Sequence, residues 1–248
     1  MARQRSGGPA SGAVSGAWQW GRTPQTQRAL LDAARRVFAE RGFSGSSIAD
    51  IVDRASSSVG SLYHHFGGKN ELFIALWQQH QRAHEEAASN AVAEARRRGV
   101  TDPGQLFETG ARAFLDGSWE RRDLALLFSS GDAPPGFEVM MRRRGCEWVC
   151  QNDALLHLSD LPVDRVYAAI LTSLIAEGGR EVAAAGSRRQ AERIIDAVLG
   201  YARRLMAGGP WRPGSDRPPS SRAPSNRAPS SRAGAPERAV TQLRRQRR

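Results

Sequence analysis

Residues 42–76 read GFSGSSIADIVDRASSSVGSLYHHFGGKNELFIAL, and this stretch decides the fold. Ser47 and Asp50 have the spacing of a capping box, so a short helix is predicted to begin at Ser46 or Ser47. After a turn of three serines, the spacing of apolar residues predicts another short helix over residues 59–65. Two short helices joined by a tight turn are typical of the helix-turn-helix units that bind DNA.

A longer helix is predicted in front of this unit. Thr23 suits an N-cap, Pro24 suits the first helical position, and Gly42 is expected to end the helix. One face is apolar and should be buried, and its residues are Leu30, Ala33, Ala34, Val37 and Phe38. The chain as far as residue 208 keeps a helical periodicity and has no alternating β pattern, so the predicted class is all-α.

The same stretch resembles the N-terminal domain of the TetR family of bacterial transcriptional regulators. The positions that carry the resemblance are Ser46, Ser47, Asp50, Ile51, Gly60, Ser61, Leu62, Tyr63, His64, Phe66, Lys69 and Glu71. It implies a helix-turn-helix DNA-binding domain over residues 23–69, followed by a helical ligand-binding and dimerisation domain over residues 70–208. The sequence departs from the family at Ser56 and Ser57, where a glycine and then an apolar residue are usual. We therefore expect Ser56 to hold a left-handed backbone, which costs about 1 kcal/mol.

The second short helix is the candidate recognition helix. Such a helix needs short side chains where its backbone nears the bases and hydrogen-bond donors that reach phosphates. The residues suited to the first role are Gly60 and Ser61, and those suited to the second are Tyr63, His64, His65 and Lys69. The resemblance implies that the base edges are faced by Val59, Gly60, Ser61 and Tyr63, with Ala49 from the preceding helix, and that a phosphate is bound by Ser47. Adjacent residues such as His64 and His65 point about 100° apart on a helix, so the two histidines are badly placed to bind one metal ion.

The net charge of +11 sits at the two ends of the chain. Residues 1–22 carry +3, the Arg-, Pro- and Ser-rich residues 209–248 carry +8, and the residues between them sum to zero. Both end segments lack apolar periodicity and are predicted to be disordered. Their charge suits a polyanion, either nucleic acid or a membrane surface. The arginines of the N-terminal arm are expected either to enter a narrow DNA minor groove or to add nonspecific attraction.

The expected location is cytoplasmic, with no membrane partner. No apolar run approaches the roughly 20 residues of a membrane span, and the first residues lack the apolar core of a signal peptide.

Aromatic and sulfur-containing residues at helical spacing in the second domain suit either a ligand cavity or an ordinary core. The candidate ligand-binding residues are Phe107, Phe114, Trp119, Phe128, Met140, Cys146, Trp148 and Asn152, with Phe137, Met141 and His157 as further candidates. The expected ligand is an unidentified small-molecule inducer.

The last two long helices are predicted over residues 162–184 and 188–207. Their apolar positions are Val166, Ile170, Leu174 and Ile175, then Ile194, Ile195, Val198, Ala202, Leu205 and Met206. The resemblance implies that these helices pair with their symmetry mates in a homodimer. The alternative is that the same residues cover the domain's own core.

Other chemistries have weaker signals. His80 and His84 are spaced i, i+4, but the zinc-hydrolase glutamate and a third ligand are missing. Cys146 and Cys150 have the same spacing beside three arginines, which suits either two buried small hydrophobes or a redox pair. No phosphate-binding glycine loop and no serine nucleophile elbow is present, so neither enzymatic activity nor a cofactor is predicted.

These features predict a homodimeric, ligand-responsive repressor that binds a palindromic double-stranded DNA operator and is released by a small molecule. The alternative is a nonspecific nucleic-acid-binding or scaffold protein that acts through its basic tails.

Overall fold

The computed structural model describes residues 24–210, and these residues form nine α-helices and no strand. The helices are α1 (Pro24–Arg41), α2 (Ile48–Arg54), α3 (Val59–Phe66), α4 (Lys69–Arg97), α5 (Pro103–Glu120), α6 (Arg122–Ser129), α7 (Phe137–Leu155), α8 (Pro162–Ala184) and α9 (Arg188–Gly208). The predicted all-α class is confirmed. The N-cap proposed at Thr23, the basic arm and the basic tail lie outside the described residues.

Serine residues cap both helices of the helix-turn-helix unit and contribute to the turn between them. Ser47 caps α2 by accepting a hydrogen bond from the backbone of Asp50 at 3.1 Å, and the Asp50 carboxylate accepts one from the backbone of Ser47 at 3.0 Å, so the predicted capping box is confirmed. Ser58 caps α3 by accepting a hydrogen bond from the backbone of Ser61 at 3.1 Å. Ser56 has φ +48°, the predicted left-handed conformation, which turns the chain between the two helices.

A first hydrophobic cluster joins α1, α2 and α3 to the start of α4, to α6 and to the first residue of α7. The five apolar residues predicted for the buried face of α1 are all in it. Phe73 lies at its centre, with its ring 5.1 to 5.4 Å from the rings of Phe38, Phe43, Phe128 and Phe137. The cluster therefore ties the helix-turn-helix unit to helices that follow it by more than fifty residues.

A second hydrophobic cluster is formed mainly by α5, α8 and α9. Two adjacent glycines let these helices approach closely. A Cβ at Gly178 would lie 2.8 Å from Val198 of α9, and a Cβ at Gly179 would lie 2.9 Å from Phe114 of α5. Helix α8 continues through both glycines, so they serve close packing within the subunit rather than a break. The domain boundary predicted at residue 69 stays a prediction.

The two cysteines are not the buried hydrophobes that their spacing favoured. Cys146 and Cys150 are both exposed and free, because α7 buries only its first residue, Phe137, among its 19 residues. Among residues 24–210, each helix is too short or too polar to cross a bilayer.

Candidate functional site

Helix α3 presents one face outward and buries the other. Val59 and Tyr63 are 48% and 53% exposed, and Gly60 and His64, which lie on the same side at helical spacing, are exposed as well. Leu62 is completely buried against the first cluster, which fixes the orientation of the helix. We call Val59, Gly60, Tyr63 and His64 the outward face of α3. Ala49 of α2 is also exposed.

Three other residues assigned to DNA occupy different environments. Ser61 is only 7% exposed and lies on the inner side of α3, away from the outward face. His65 is half-buried. Ser47 remains exposed, but its hydroxyl donates to the Asp50 carboxylate at 2.7 Å within the capping box. A phosphate would have to share that hydroxyl with the cap.

Lys69 has a structural role that the sequence did not indicate. Its Nζ donates hydrogen bonds of 2.9 Å to the carbonyl oxygens of both Phe43 and Ser46, and it lies 4.3 Å from the centre of the Phe43 ring. The lysine at the start of α4 therefore holds the loop between α1 and α2. Because an ammonium group has three N–H donors, this leaves one for the phosphate contact predicted for it.

Two further polar contacts at this end of the molecule involve α6 and the loop after it. Arg35 of α1 makes a bidentate ion pair with Asp123 of α6, with nitrogen–oxygen distances of 2.6 and 2.7 Å. Asp132, in the loop between α6 and α7, accepts hydrogen bonds from the backbone and hydroxyl of Ser44 at 3.0 and 2.5 Å. The Ser44 donors hold the pKa of Asp132 below its usual value.

A cavity of about 630 Å³ lies among α4, α5, α6, α7 and α8. Of the predicted ligand-binding residues, those that line it are Phe107, Phe114, Phe128, Met141, Trp148 and Asn152. Asn152 is oriented by a 2.9 Å hydrogen bond that its amide donates to Thr172 of α8.

Five predicted ligand residues do not line this cavity. Met140 and Phe137 pack in or against the first cluster, and Trp119 packs against the second, with Arg122 4.4 Å from the centre of its ring. Cys146 and His157 are exposed. Phe137, Met140, Trp119 and Cys146 lie on helices, but the spacing could not show which side of each helix faces the cavity, and His157 lies in the turn after α7.

His80 and His84 also line the cavity, although the sequence analysis did not place them there. They are 6% and 1% exposed, and their ring centres lie 4.5 Å apart. The His84 ring is 4.4 Å from that of Phe114, and the His80 ring is 5.4 Å from that of Phe128. We call these four residues the histidine patch. The signal was present in the sequence, because both histidines continue the buried face of α4 at helical spacing from Phe73.

Both histidines are uncharged near neutral pH. Burial lowers the pKa of His80 to about 4, and the positive charge of Arg121 adds to this effect. Burial lowers the pKa of His84 to about 3, with further contributions from His80 and Arg121. Among the described residues, no group of three or more His, Cys, Asp or Glu side chains is placed to hold a metal ion.

The apolar residues predicted for α8 and α9 divide into three groups. Ile175, Ile195, Val198 and Ala202 are buried in the second cluster, and Leu174, Ile194 and Met206 are partly buried against it. Val166, Ile170 and Leu205 are 57, 50 and 41% exposed, and Tyr201 of α9, which was not among the predicted residues, is 53% exposed. We call these four exposed residues the outer stripe. Part of the apolar pattern therefore serves the subunit's own core, and part faces outward.

Comparisons with known proteins bear on the helix-turn-helix unit first. Residues 30–76 match the family model described as "Bacterial regulatory proteins, tetR family". The chain is 34% identical over 79 residues to the HTH-type transcriptional repressor AcnR of Corynebacterium efficiens, a match that covers 32% of this chain and 42% of that protein. It is 36% identical over 99 residues to the HTH-type transcriptional activator FasR of Mycolicibacterium smegmatis, covering 38% of this chain and 42% of that protein. The chain thus matches less than half the length of these curated relatives.

The whole helical arrangement has counterparts among solved structures. A TetR-like transcriptional regulator from Rhodococcus sp. RHA1 superposes with a TM-score of 0.59 at 24% sequence identity, covering 74% of this chain and 96% of that one. At this identity the likeness concerns the fold, which extends well beyond the segment of sequence similarity.

Proposed function

We propose, starting from a TetR-family DNA-binding domain at residues 30–76, that this protein is a ligand-responsive transcriptional regulator that binds DNA as a homodimer. The observation that carries the proposal is the α2–turn–α3 unit, whose two helices are capped and whose outward face of α3 is exposed. A helix that packs on the core with one side and is exposed to solvent on the other is suited to enter a DNA major groove.

The side chains of the outward face are suited to recognise the shape of DNA and the apolar groups of its bases. Val59 offers methyl groups to thymine, Gly60 lets the backbone approach the bases, and Tyr63 and His64 supply donors for nearby phosphates. Helix α3 has no Arg, Asn or Gln, which make the strongest bidentate contacts to bases. We therefore propose that much of the sequence preference comes from DNA shape and from the arginines of the N-terminal arm.

The outer stripe is the proposed dimer interface. Four large apolar side chains, each at least 41% exposed on two neighbouring helices, are unfavourable in water and are covered when the same face of a second subunit packs against them. A two-fold axis at this face gives each dimer two copies of α3. The expected operator is therefore an inverted repeat, with half-sites about 34 Å apart or a multiple of that distance.

The cavity is the proposed inducer site, and α6 is the proposed connection to the DNA-binding domain. Phe128 of α6 lines the cavity and also packs in the first cluster against Phe73. The Arg35–Asp123 ion pair and the Ser44–Asp132 contact tie the same helix and its following loop to α1 and to the loop before α2. A ligand that displaces α6 changes the relative stability of two arrangements of α1 and α2, which is how it lowers affinity for DNA.

The proposed direction of regulation is repression. One of the two curated relatives described above is a repressor and the other an activator, so the family alone does not decide it. A dimer that occupies an operator and leaves it when ligand binds acts as a repressor, and this is the proposed behaviour.

Selection of binding sites from random double-stranded DNA tests the proposal. A regulator of this kind selects an inverted repeat, and electrophoretic analysis shows one dimer per site. Recovery of DNA without a common motif contradicts the proposal and favours the alternative, a nonspecific nucleic-acid-binding or scaffold protein acting through its basic tails.

A further inference from the structure

Helix α7 forms one wall of the cavity and buries little of its own surface. Of its 19 residues, only the first, Phe137, is buried. Its inner side borders the cavity, and Met141, Trp148 and Asn152 are among the lining residues. A helix in a folded protein is stabilised mostly by the packing of its apolar face, and the inner face of α7 borders open space instead. The position of α7 beyond Phe137 therefore depends on individual side-chain contacts.

The side of α7 that faces α4 is held by a single carboxylate. Glu85 of α4 accepts a hydrogen bond from Arg144 at 2.7 Å and another from Gln151 at 3.0 Å. These are the polar contacts that join α4 to α7 among the described residues, and we call them the Glu85 latch. On the side that faces α8, Asn152 donates a 2.9 Å hydrogen bond to Thr172. The two sides of α7 are thus attached to different helices through different residues.

The Glu85 latch can be broken without leaving a charge unpaired. Arg144 also donates to Glu147 of its own helix at 2.9 Å, and this contact moves with α7. The side chain of Glu85 is 37% exposed, so water can replace the donors that it loses. The main cost of separating a buried ion pair is the unpaired charge that remains, and both partners of this latch avoid that cost.

A second cavity, of about 340 Å³, lies between α4 and α7 and adjoins the first. Trp77, Gln81 and Arg144 line both cavities, so these side chains form the wall between them. Glu85 lines the second cavity, as does Arg143, whose side chain is 85% exposed to solvent. A movement of α7 that carries Arg144 away from Glu85 therefore joins the first cavity to a space that opens to solvent.

We infer that α7 is a movable wall that opens from α4 when the Glu85 latch is released, and that small molecules reach the first cavity through this gap. The contact of Asn152 with α8 keeps the other side of α7 in place during the movement. The inference rests on the proposed function of the cavity as the inducer site. It makes Glu85, which does not line the first cavity, the residue that controls how fast a molecule enters and leaves it.

Alkylation of a thiol placed in the cavity wall tests the inference. The full-length protein has two cysteines, both exposed, and Cys146→Ser with Cys150→Ser removes them. Ser118→Cys then supplies one thiol at a position that lines the cavity and is 2% exposed. The probe is iodoacetamide, a small uncharged molecule. Its carbon–iodine bond breaks as the thiolate forms a carbon–sulfur bond and iodide leaves, and mass spectrometry of the intact protein measures the rate.

Glu85→Ala should increase the rate of alkylation at the Ser118→Cys thiol by about 10-fold, the factor that corresponds to one hydrogen-bonded charged contact. Gln151→Ala removes one donor and keeps the carboxylate, so it should increase the rate by about 3-fold. Glu86→Ala, an exposed change on the same helix, should leave the rate unchanged. Val182→Cys is the reference for unfolding of the whole subunit, because Val182 is completely buried in the second cluster and does not line the cavity. Its alkylation should be equally slow with and without Glu85→Ala.

Two outcomes overturn the inference. Equal rates at the cavity thiol with and without Glu85→Ala would mean that the Glu85 latch does not control access. Equal increases at the cavity thiol and at the Val182→Cys thiol would mean that Glu85→Ala loosens the whole subunit instead of releasing α7.

The alkylation experiment uses neither DNA nor an inducer, so it is independent of the DNA selection experiment. A protein that selects an inverted repeat but shows no effect of Glu85→Ala contradicts only the inference. One in which Glu85→Ala speeds alkylation in the cavity alone, but which selects no DNA motif, contradicts only the proposed DNA-binding function.

Discussion

Asp132 and Ser44, which are 88 positions apart in the chain, are joined by hydrogen bonds from both the backbone nitrogen and the hydroxyl of Ser44 to one carboxylate. The contact connects the loop that follows α6 to the loop that precedes α2. Since α6 also lines the cavity, these two residues form a short covalent and hydrogen-bonded path between the cavity and the helix-turn-helix unit. This path is the proposed means by which ligand binding in the cavity changes the affinity for DNA.

Replacing Asp132 by alanine should weaken that coupling. The change removes the acceptor for two Ser44 donors, so we expect the free energy of unfolding to fall by about 1 kcal/mol and the inducer to lower DNA affinity by a smaller factor than in the unchanged protein. Urea unfolding, and DNA titrations with and without a small molecule found by calorimetry to bind the protein, measure the two effects. Asp160→Ala, at an exposed position in the loop between α7 and α8, is the matched control. An unaltered ligand effect in the Asp132 variant rules out the path.

Removing the hydroxyl of Tyr63 should weaken DNA binding without loosening the fold. The side chain is 53% exposed on the outward face of α3, and a hydrogen bond to a DNA phosphate contributes about 1 to 2 kcal/mol. Fluorescence anisotropy with labelled operator DNA measures the affinity of Tyr63→Phe. Tyr167→Phe makes the same chemical change on α8, where the hydroxyl donates to Leu205, and should leave DNA affinity unaltered. Equal affinity for both variants would remove Tyr63 from the interface.

Lys69→Met should act mainly on stability. Its Nζ holds the carbonyl oxygens of Phe43 and Ser46, so we expect the free energy of unfolding to fall by about 2 kcal/mol. A phosphate contact by the remaining donor would also reduce the slope of log affinity against log salt by about one unit on every DNA sequence. Urea unfolding and salt titrations on operator and scrambled DNA separate the two roles. Unchanged stability would contradict the structural role given to Lys69.

The sequence indicated the elements of this domain better than their contacts. The capping box of Ser47 and Asp50 and the left-handed Ser56 depend on residues within a few positions of one another, which local chemistry decides. The bonds of Lys69 to Phe43 and Ser46 span 26 and 23 positions and depend on how α4 meets α1, which no local pattern specifies. For the same reason, spacing placed Phe128 on a helix but did not indicate that it serves both the cavity and the first cluster.

The candidate ligand site was only partly predictable. Aromatic residues were expected to line a cavity, and Phe114 and Trp148 do so. The spacing of His80 and His84 suggested a metal pair, whereas the structure buries both residues in the wall of the cavity. Both histidines lie on the inner face of α4, at helical spacing from the buried Phe73. The periodicity of α4 therefore predicts that both are buried.

The two buried histidines should make stability depend on pH between neutrality and about pH 5. Their folded-state pKa values, about 4 and about 3, lie below the unfolded value of 6.5, so the unfolded chain takes up protons that the folded chain does not. The free energy of unfolding should therefore fall as pH drops below 6.5, by about 1 kcal/mol per histidine for each pH unit below about 6. Arg121 and Arg35 oppose protonation of His80, whereas Asp123 favours it.

Urea unfolding from pH 7 to pH 5 measures this slope. The window lies above the range in which carboxylates with lowered pKa, such as Asp123 and Asp132, lose their contribution. The double variant His80→Phe, His84→Phe should flatten the slope. A slope that survives loss of both buried histidines contradicts their assignment as neutral groups.

Placing a charge in the outer stripe should separate the subunits. Ile170→Asp puts a carboxylate on a side chain that is 50% exposed in the isolated subunit and central to the proposed interface, so we expect monomers at micromolar concentration with helical content unchanged. Sedimentation velocity and circular dichroism measure the two properties. Val139→Asp, at a 67% exposed apolar position of α7 outside the outer stripe, should remain dimeric. Dimers that persist in the Ile170 variant would place the interface elsewhere.

The central claim is that the outward face of α3 reads DNA, and Gly60 provides its most direct test. A Cβ at Gly60 would have only the Ser58 hydroxyl oxygen near it, at 4.0 Å, so Gly60→Glu can be accommodated by the fold while placing a negative charge against the bases. The measurement is nuclease footprinting of the selected inverted repeat with the unchanged protein and with Gly60→Glu, alongside thermal unfolding of both. The account predicts two protected half-sites with the unchanged protein, loss of protection with the variant, and equal unfolding temperatures within a few degrees. Equal protection of the same DNA by the variant would contradict it.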